Sequence, residues 1–312
     1  MNAVNQRRVA VMGEALIDFV ADGDDARTYH ALAGGSGFNT ALGLTRLDVP
    51  TAFCGSLSSD TQGARLAQDL ADEGVDTSCV LTSAKPSPVV LVQPGGGDAP
   101  PRYSLHLAGT ALDDAPDAWS LPPGTIHVHA TSFASTIGAG GRAAMANLAT
   151  ARSFASTSFD PNIRSAILPD RATTSALIAE RVACSDIVKI SAEDLGLLAP
   201  NDDPTQVAAS WLTLGPRLVI LTRGGEGASA FFGSRRIDVA APSVKVRDTI
   251  GAGDSFMAAL LASLWDERQL GPDAQPFQGE ELARWMAYAV RAAAHTCARE
   301  GADPPRRADL AG

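Results

Sequence analysis

Nowhere does the chain hold the roughly 18 consecutive apolar residues that a membrane-crossing helix needs. Arg7 and Arg8 precede an apolar stretch, as in a signal peptide. Glu14 and Asp18 interrupt that stretch and no small-residue cleavage site follows, so a cytoplasmic protein is expected. Cysteine is scarce: Cys54, Cys79, Cys184 and Cys297 are widely spaced with no C-x-x-C pair. This argues against a structural zinc site or a redox dithiol and for reduced thiols. Basic side chains are outnumbered, 25 against 35 acidic, giving a net charge of −10, and no cluster of Lys and Arg is present to line a nucleic-acid groove. An acidic substrate therefore needs a local basic pocket. With 45% hydrophobic and 19% charged residues, and no repeat or low-complexity tract, the composition excludes a disordered acidic tail and a fibre.

What remains is a chain of 312 residues, long enough for one large α/β domain or two smaller ones. Short β-branched runs alternate with longer Ala/Leu-rich stretches, the pattern of a mostly parallel sheet covered by helices on both faces. Strands are expected over Arg8 to Met12, Thr51 to Gly55, Thr125 to His129, Ala155 to Asp160, Asp186 to Ile190 and Arg217 to Thr222. Helices are expected near Gly37 to Leu47, Thr61 to Glu73, Gly140 to Arg152, Arg171 to Cys184, Pro204 to Leu214, Gly253 to Trp265 and Glu280 to Arg299. The series has no linker break, so a single domain over residues 1–312 is expected. One region departs from it: Pro88 to Gln93 and Arg102 to Leu107 flank the turn-rich Pro94-Gly95-Gly96-Gly97-Asp98, an antiparallel hairpin placed to cover the carboxyl ends of the strands, where open sheets bind ligands. A second hairpin, Ala228 to Phe232 with Arg236 to Val239, reads as structural.

Asp248-Thr249-Ile250-Gly251-Ala252-Gly253-Asp254 leads into a helix. Two glycines around a small alanine let backbone N–H groups converge at a helix start, where the dipole favours negative charge: a cradle for phosphate oxygens. Asp254 falls in the first helical turn, so a bound hydroxyl can pass its proton to the carboxylate beside that cradle. Read alone, the same residues make a tight turn and a helix-stabilising carboxylate. Ala33-Gly34-Gly35-Ser36-Gly37-Phe38-Asn39 is a second Gly-rich turn opening a helix. Its glycines admit close approach of a ligand, and Asn39 offers both a donor and an acceptor to polyol hydroxyls. The spacing is not that of a dinucleotide fingerprint. Asp18, just after the first strand, can accept hydrogen bonds from paired hydroxyls. His127 and His129 share one face of a strand, and without a third ligand they read as hydrogen-bonded histidines rather than a metal pair.

Taken together, Gly34-Gly35-Ser36-Gly37-Phe38-Asn39 and Asp248-Thr249-Ile250-Gly251-Ala252-Gly253-Asp254 resemble the two signatures of the ribokinase-like, or PfkB, carbohydrate kinases. The resemblance runs over nearly the whole chain. Gly13 to Phe19, Glu73 to Asp76, Asp160 to Arg164 and Lys189 to Asp194 are most similar to the fructokinase branch. It implies a three-layer α/β/α fold with a mostly parallel sheet and a small β lid built from about residues 14–33 and 86–110. It also implies transfer of the ATP γ-phosphate to a primary hydroxyl of a ketohexose such as fructose. By resemblance, Asp254 matches the general base, Gly251, Ala252 and Gly253 the anion hole, and Arg164 an arginine near the sugar and transferred phosphate. Asp18, Gly34, Gly35 and Asn39 match sugar contacts, and Lys189, Ser191, Thr222, Gly224 and Gly227 match ATP contacts. Asp194, with Glu193, falls where the family organises Mg²⁺ through water, and Asp248 is placed to contribute to a K⁺ site. Small-molecule partners only and a homodimer through the lid are the further implications.

The chain departs from the family pattern at two places. Ser191 and Asp194 stand where the family has Asn and Glu, and Leu107 stands where fructokinases often carry a lid cation, with His106 pointing to the opposite face. Ribokinase-like or keto-deoxygluconate-kinase-like specificity is the alternative within the class. Outside it stand a catalytically silent sugar or nucleotide sensor and a dinucleotide-dependent oxidoreductase.

Overall fold

The computed structural model describes residues 7–22, 27–93, 102–164 and 166–311. The turn expected at Pro94 to Asp98 lies outside the described residues. The main sheet has eight strands in the order β14-β13-β12-β11-β10-β9-β1-β4. They are β1 (Arg8–Met12), β4 (Thr51–Cys54), β9 (Thr125–Thr131), β10 (Ser156–Asp160), β11 (Ile187–Ser191), β12 (Leu218–Thr222), β13 (Ala228–Phe232) and β14 (Arg235–Val239). From β12 to β4 every pairing is parallel, while β13 and β14 add an antiparallel hairpin at one edge. The inner strands are buried on both faces, as a sheet sandwiched between helices requires; β1, β11 and β12 are mainly apolar, whereas β9 and β10 bury His127, His129, Ser156, Thr157, Ser158 and Asp160.

Alternation along β1 divides the core. Val9 and Val11 pack with residues of α1 (Ser36–Arg46), α7 (Ala252–Asp266) and α8 (Gly279–Cys297), among them Leu44, Leu260 and Met286. Ala10 and Met12 face the other layer, where α3 (Gly138–Ala151), α4 (Arg171–Ala183) and α6 (Pro204–Ser210) contribute Leu148, Ile178 and Ala208. The result is a three-layer α/β/α arrangement. Helix α2 (Thr61–Asp72) is capped by Asp60, whose side chain accepts from Gly63 N. The helix expected over Pro204 to Leu214 stays α only to Ser210 and tightens to a 3₁₀ turn over Trp211–Leu214, because Gly215 and Pro216 end it. A short helix, α5 (Ala192–Leu198), was not foreseen.

The stretches 14–33 and 86–110, expected to form a lid, contain a second sheet of order β3-β2-β7-β8. Its strands are β2 (Leu16–Ala21), β3 (Tyr29–Gly34), β7 (Val89–Gln93) and β8 (Arg102–His106), with β2 and β7 parallel and the outer pairs antiparallel. Leu16, Val90 and Val92 pack with Phe133, Leu105, Leu107 and Ile137, while Ile17 joins the main core. A two-stranded parallel pair, β5 (Ser56–Ser58) with β6 (Leu81–Ser83), completes the strands. Next to it the widely spaced Cys54 and Cys79 meet, both buried and free, with their sulfurs 2.9 Å apart. Sequence spacing does not reveal that proximity.

Candidate active site

Asp254 sits in the first turn of α7, directly after Gly251, Ala252 and Gly253. Gly251 is the helix cap with φ 74°, and a Cβ there would stand 2.6 Å from the Ala302 side chain, so the turn needs glycine on both counts. The Ala252 amide reaches Thr249 O at 3.3 Å, while among the described residues no acceptor is assigned to the amides of Gly251 and Gly253. Half-buried amides at a helix start with no intrahelical partner form an anion-binding corner. Asp254 is enclosed: it is 4% exposed, and Asn39 Nδ2 donates to its Oδ2 at 2.9 Å. Burial raises its pKa, opposed by the hydrogen bonds from Asn39 and Ser36 and by the charges of Lys189 and Arg164.

Lys189 lies under that corner. Its Nζ would be 2.8 Å from a Cβ on Gly253, and it forms a buried ion pair with Asp160 Oδ2 at 2.8 Å. This places it beneath the start of α7 rather than on an open nucleotide surface. Burial works against the ammonium, but Asp160, Asp194 and Asp254 outweigh it and hold the lysine charged, its pKa raised. Asp160, also buried, is pushed up to about 6 despite the lysine. Arg164 is exposed at the site's entrance, where Nη1 donates to Asn162 Oδ1 at 2.7 Å, and its charge lowers the pKa of both Asp18 and Asp254. Asn162, at φ 39°, donates through Nδ2 to Ser36 Oγ and so ties this loop to α1.

The Gly-rich turn before α1 is shaped by contacts that admit no side chain. A Cβ on Gly34 would stand 2.3 Å from Asp18 Oδ2, and one on Gly35, at φ 102°, would stand 2.5 Å from Glu14 O. Asp18 on β2 is half-buried. Burial lifts its pKa to about 6, with Arg164 opposing and Asp248 reinforcing. Gly34, Gly35, Asn39, Asp18 and Asp254 are thus gathered at the carboxyl end of β1. Sequence reasoning gave no role to Glu14, which lies among them: it is 2% exposed, its Oε1 accepts from Ser36 N at 2.9 Å, and burial raises its pKa to about 7. An acid two residues after the apolar run Val9 to Met12 is the signal that marks it.

On the neighbouring strand ends, Ser191 and Thr222 are register partners across β11 and β12. Ser191 Oγ caps α5 by accepting from Asp194 N at 2.9 Å. Gly224 (φ 50°) and Gly227 (φ 96°) follow Thr222, and a Cβ on Gly227 would be 2.0 Å from Val239 O. Asp194 is buried, with Oδ1 accepting from Ile163 N at 3.0 Å, whereas Glu193 is exposed. One free oxygen on Asp194 and an open carboxylate on Glu193 fit Mg²⁺, which keeps several waters and takes few protein ligands. Both oxygens of Asp248 accept backbone N–H groups, from Ile250 and Gly301, each at 3.0 Å, so this carboxylate clasps the loop.

His127 and His129 lie fully buried within β9 and hydrogen-bond Ser156 and Ser158 at 2.7 to 2.8 Å; burial lowers both pKa values. On the small sheet, Leu107 follows β8 and packs in the apolar cluster, so no cation comes from that position, and His106 pairs with Ser104. Tyr103 is register partner to buried Val92, which puts it on the face turned to the site; it is 51% exposed, and its phenol feels Arg164, Asp248 and Asp18. Among the described residues no helix is long and apolar enough to cross a membrane.

A family profile described as pfkB family carbohydrate kinase matches residues 6–309. The fructokinase of Rhizobium leguminosarum bv. trifolii is 37% identical over 81% of this chain and 78% of its own length. Among solved structures, the fructokinase of Vibrio cholerae O395 in fructose, ADP and calcium ion bound form superposes with TM-score 0.82 at 26% identity, covering 97% of both chains. Aminoimidazole riboside kinase from Salmonella enterica, complexed with aminoimidazole riboside and an ATP analog, superposes with TM-score 0.80 at 25% identity over 95% of both chains.

Proposed function

The chain belongs to the pfkB family of carbohydrate kinases, and from that premise we propose that it transfers the γ-phosphate of ATP to a primary hydroxyl of a ketohexose such as fructose, with Asp254 as general base. The observation that carries the reading is the pairing of a buried carboxylate, held by Asn39, with half-buried amides of Gly251 and Gly253 just before it at the same helix start. Phosphoryl transfer asks little covalent chemistry of a protein. What it needs is an in-line hydroxyl, a place for its proton and stabilisation of charge on the moving phosphoryl oxygens. Asp18 and Asn39 orient the sugar hydroxyls, with Gly34 and Gly35 letting the ring approach. Asp254 takes the proton late, as the bond to phosphorus forms, so a carboxylate of modest basicity suffices. The α7 amides and Arg164 face the phosphoryl oxygens, and Lys189 adds positive charge from below. Ser191, Thr222, Gly224 and Gly227 cradle the nucleotide.

Mg²⁺ held near Glu193 and Asp194 would neutralise phosphate charge when bound. The small sheet acts as a lid that excludes water, and its outer face joins two copies into a dimer, seen as a doubled mass in light scattering. A second reading rests on the lid's inner face. Leu107 supplies no cation there, while Leu105, Phe133 and Tyr103 supply an apolar and aromatic wall, which suits a riboside with a flat ring as well as a free ketose.

The test is coupled ATP turnover against a panel of ketoses, pentoses, sugar acids and ribosides, with Mg²⁺ omitted and K⁺ exchanged for Na⁺ as controls, repeated with Asp254→Asn. Sugar-dependent turnover should fall by roughly 10³-fold or more in the variant, on the scale of losing a base and its charge. Sugar binding without turnover in the parent protein would instead identify a silent sensor.

A further inference from the structure

We infer that Glu14 is a positioning residue for this reaction: a buried carboxyl clamp that seats the first turn of α1 so that Asn39 meets Asp254. This deepens the kinase reading above and rests on it. Helix α1 begins with a problem of its own. Its cap residue, Gly35, makes no side-chain hydrogen bond, and it has to be glycine because φ is 102° and a Cβ would strike Glu14 O. The first amides of a helix have no intrahelical acceptor. Here Glu14 supplies two from 22 and 24 positions earlier in the chain: its Oε1 accepts from Ser36 N at 2.9 Å and its backbone O from Phe38 N at 3.1 Å. The next amide, that of Asn39, closes the first helical bond to Gly35 O at 2.9 Å. The side chain of Asn39 then donates to Asp254 Oδ2.

The side chains in this chain of contacts are buried: Glu14 at 2% exposure, Ser36 at 5%, Asn39 at 4% and Asp254 at 4%. A surface Ser or Asp caps a helix without burying an ionisable group, so a capping role alone does not account for a carboxyl in this place. What the buried position adds is rigidity at one spot, the junction of β1, α1 and α7. Among the described residues the second carboxyl oxygen, Oε2, has no hydrogen-bond partner, and Ser132 is the neighbour whose hydroxyl also bears on the group. Burial holds much of the carboxyl protonated near neutrality, and Asp254 is the charged neighbour acting in the same direction. A neutral side chain of the same shape should therefore do the same work.

The experiment compares the parent protein with Glu14→Gln, Glu14→Asp and Glu14→Ala, with ATP and the best sugar of the panel, D-fructose being tried first. Near-UV circular dichroism and melting curves fix the folded fraction of each. Glutamine keeps both length and an acceptor for Ser36 N–H, and its kcat should stay within about threefold of the parent. Aspartate retains the charge but falls short of the helix, and its kcat per folded molecule should drop at least tenfold while KM for ATP stays within twofold. Alanine should match or exceed that loss; if it fails to fold, the Asp and Gln pair decides. A Glu14→Asp protein that melts lower yet keeps its kcat overturns the inference, as does a Glu14→Gln protein as impaired as Glu14→Asp. A parent with no sugar-dependent turnover sinks the kinase reading and this inference together, whereas an active parent with an indifferent Glu14→Asp variant sinks this inference alone.

Discussion

Replacing Lys189 by methionine leaves the shape of the side chain nearly intact and removes the one cation buried against Asp160, with side-chain exposures of 5% and 1% for the two partners. Breaking one half of a buried pair typically costs about 3 to 5 kcal/mol, because the remaining charge is uncompensated. For a chain of 312 residues, an unfolding entropy of about 2.1 cal/mol/K per residue turns this into a fall of roughly 5 to 8 °C in Tm. The loss should grow with pH. Asp160 already holds its proton to about 6 with the lysine present, so without it the folded state keeps that proton still higher while the unfolded carboxyl releases it near 4. Adding Asp160→Asn should recover more than half of the lost stability. The catalytic consequence is separate. Lys189 lowers the pKa of Asp254, so the acid limb of kcat/KM for the sugar should move upward by on the order of one pH unit, and it should stay displaced in the double variant. Differential scanning calorimetry gives the first quantity and a pH–rate profile from 5 to 9 the second. An acid limb that does not move in Lys189→Met refutes the coupling between this lysine and the base, whatever happens to Tm.

Gly34→Ala puts a methyl group where Asp18 Oδ2 now lies, 2.3 Å from the added carbon; the carboxylate end can swing away, so Tm should change by less than about 2 °C while KM for the sugar rises at least tenfold and KM for ATP stays within twofold. An unchanged sugar KM removes Asp18 from the sugar site. Tyr103→Ala should raise the sugar KM by roughly five- to tenfold, the scale of one aromatic contact, with kcat within threefold, and Tyr103→Phe separates the ring from the hydroxyl. Equal kinetics for all three proteins would place Tyr103 outside the substrate's reach.

Much of the main sheet was legible because strands such as β1, β11 and β12 are largely apolar runs between turn signals, and such a run has one stable place in a layered α/β fold. Strands β2 and β3 were harder. Asp18 sits in the middle of one, and the other opens with Tyr29-His30 and alternates between half-buried and exposed positions, so neither has the uniform hydrophobicity that betrays a buried strand. Helix α5 is seven residues long, too short for a helical period to emerge, and only its cap, Ser191 with Asp194 three residues on, marks it. Within the site, residues carried by local motifs were readable, Asn39, Lys189 and Asp254 among them; which residues meet across the chain was not. Glu14 meets Ser36 across 22 positions and Lys189 meets Asp160 across 29, distances over which a single sequence carries no pairing signal.

The charge balance of the assembled site bears on how the nucleotide arrives. Glu14, Asp18, Asp160, Asp194 and Asp254 outnumber Lys189 and Arg164, in a chain whose net charge is already −10. A bare polyanion approaching such a surface meets repulsion from every ionised carboxylate within a Debye length, about 8 to 10 Å at ordinary salt. Three features reduce it. Burial raises the pKa of Glu14 to about 7, so a substantial share of it is uncharged near neutrality, and lifts Asp18 and Asp160 to about 6. The amides at the start of α7 offer positive potential that adds no mobile charge. On the proposed reading the exposed Glu193 and partly free Asp194 would favour a divalent ion entering with the nucleotide. A free tetra-anionic nucleotide should therefore bind far more weakly than its metal complex. On the proposed reading Asp18 orients the sugar and Asp254 accepts its proton, so neutralising either to lighten the site should trade nucleotide affinity against turnover.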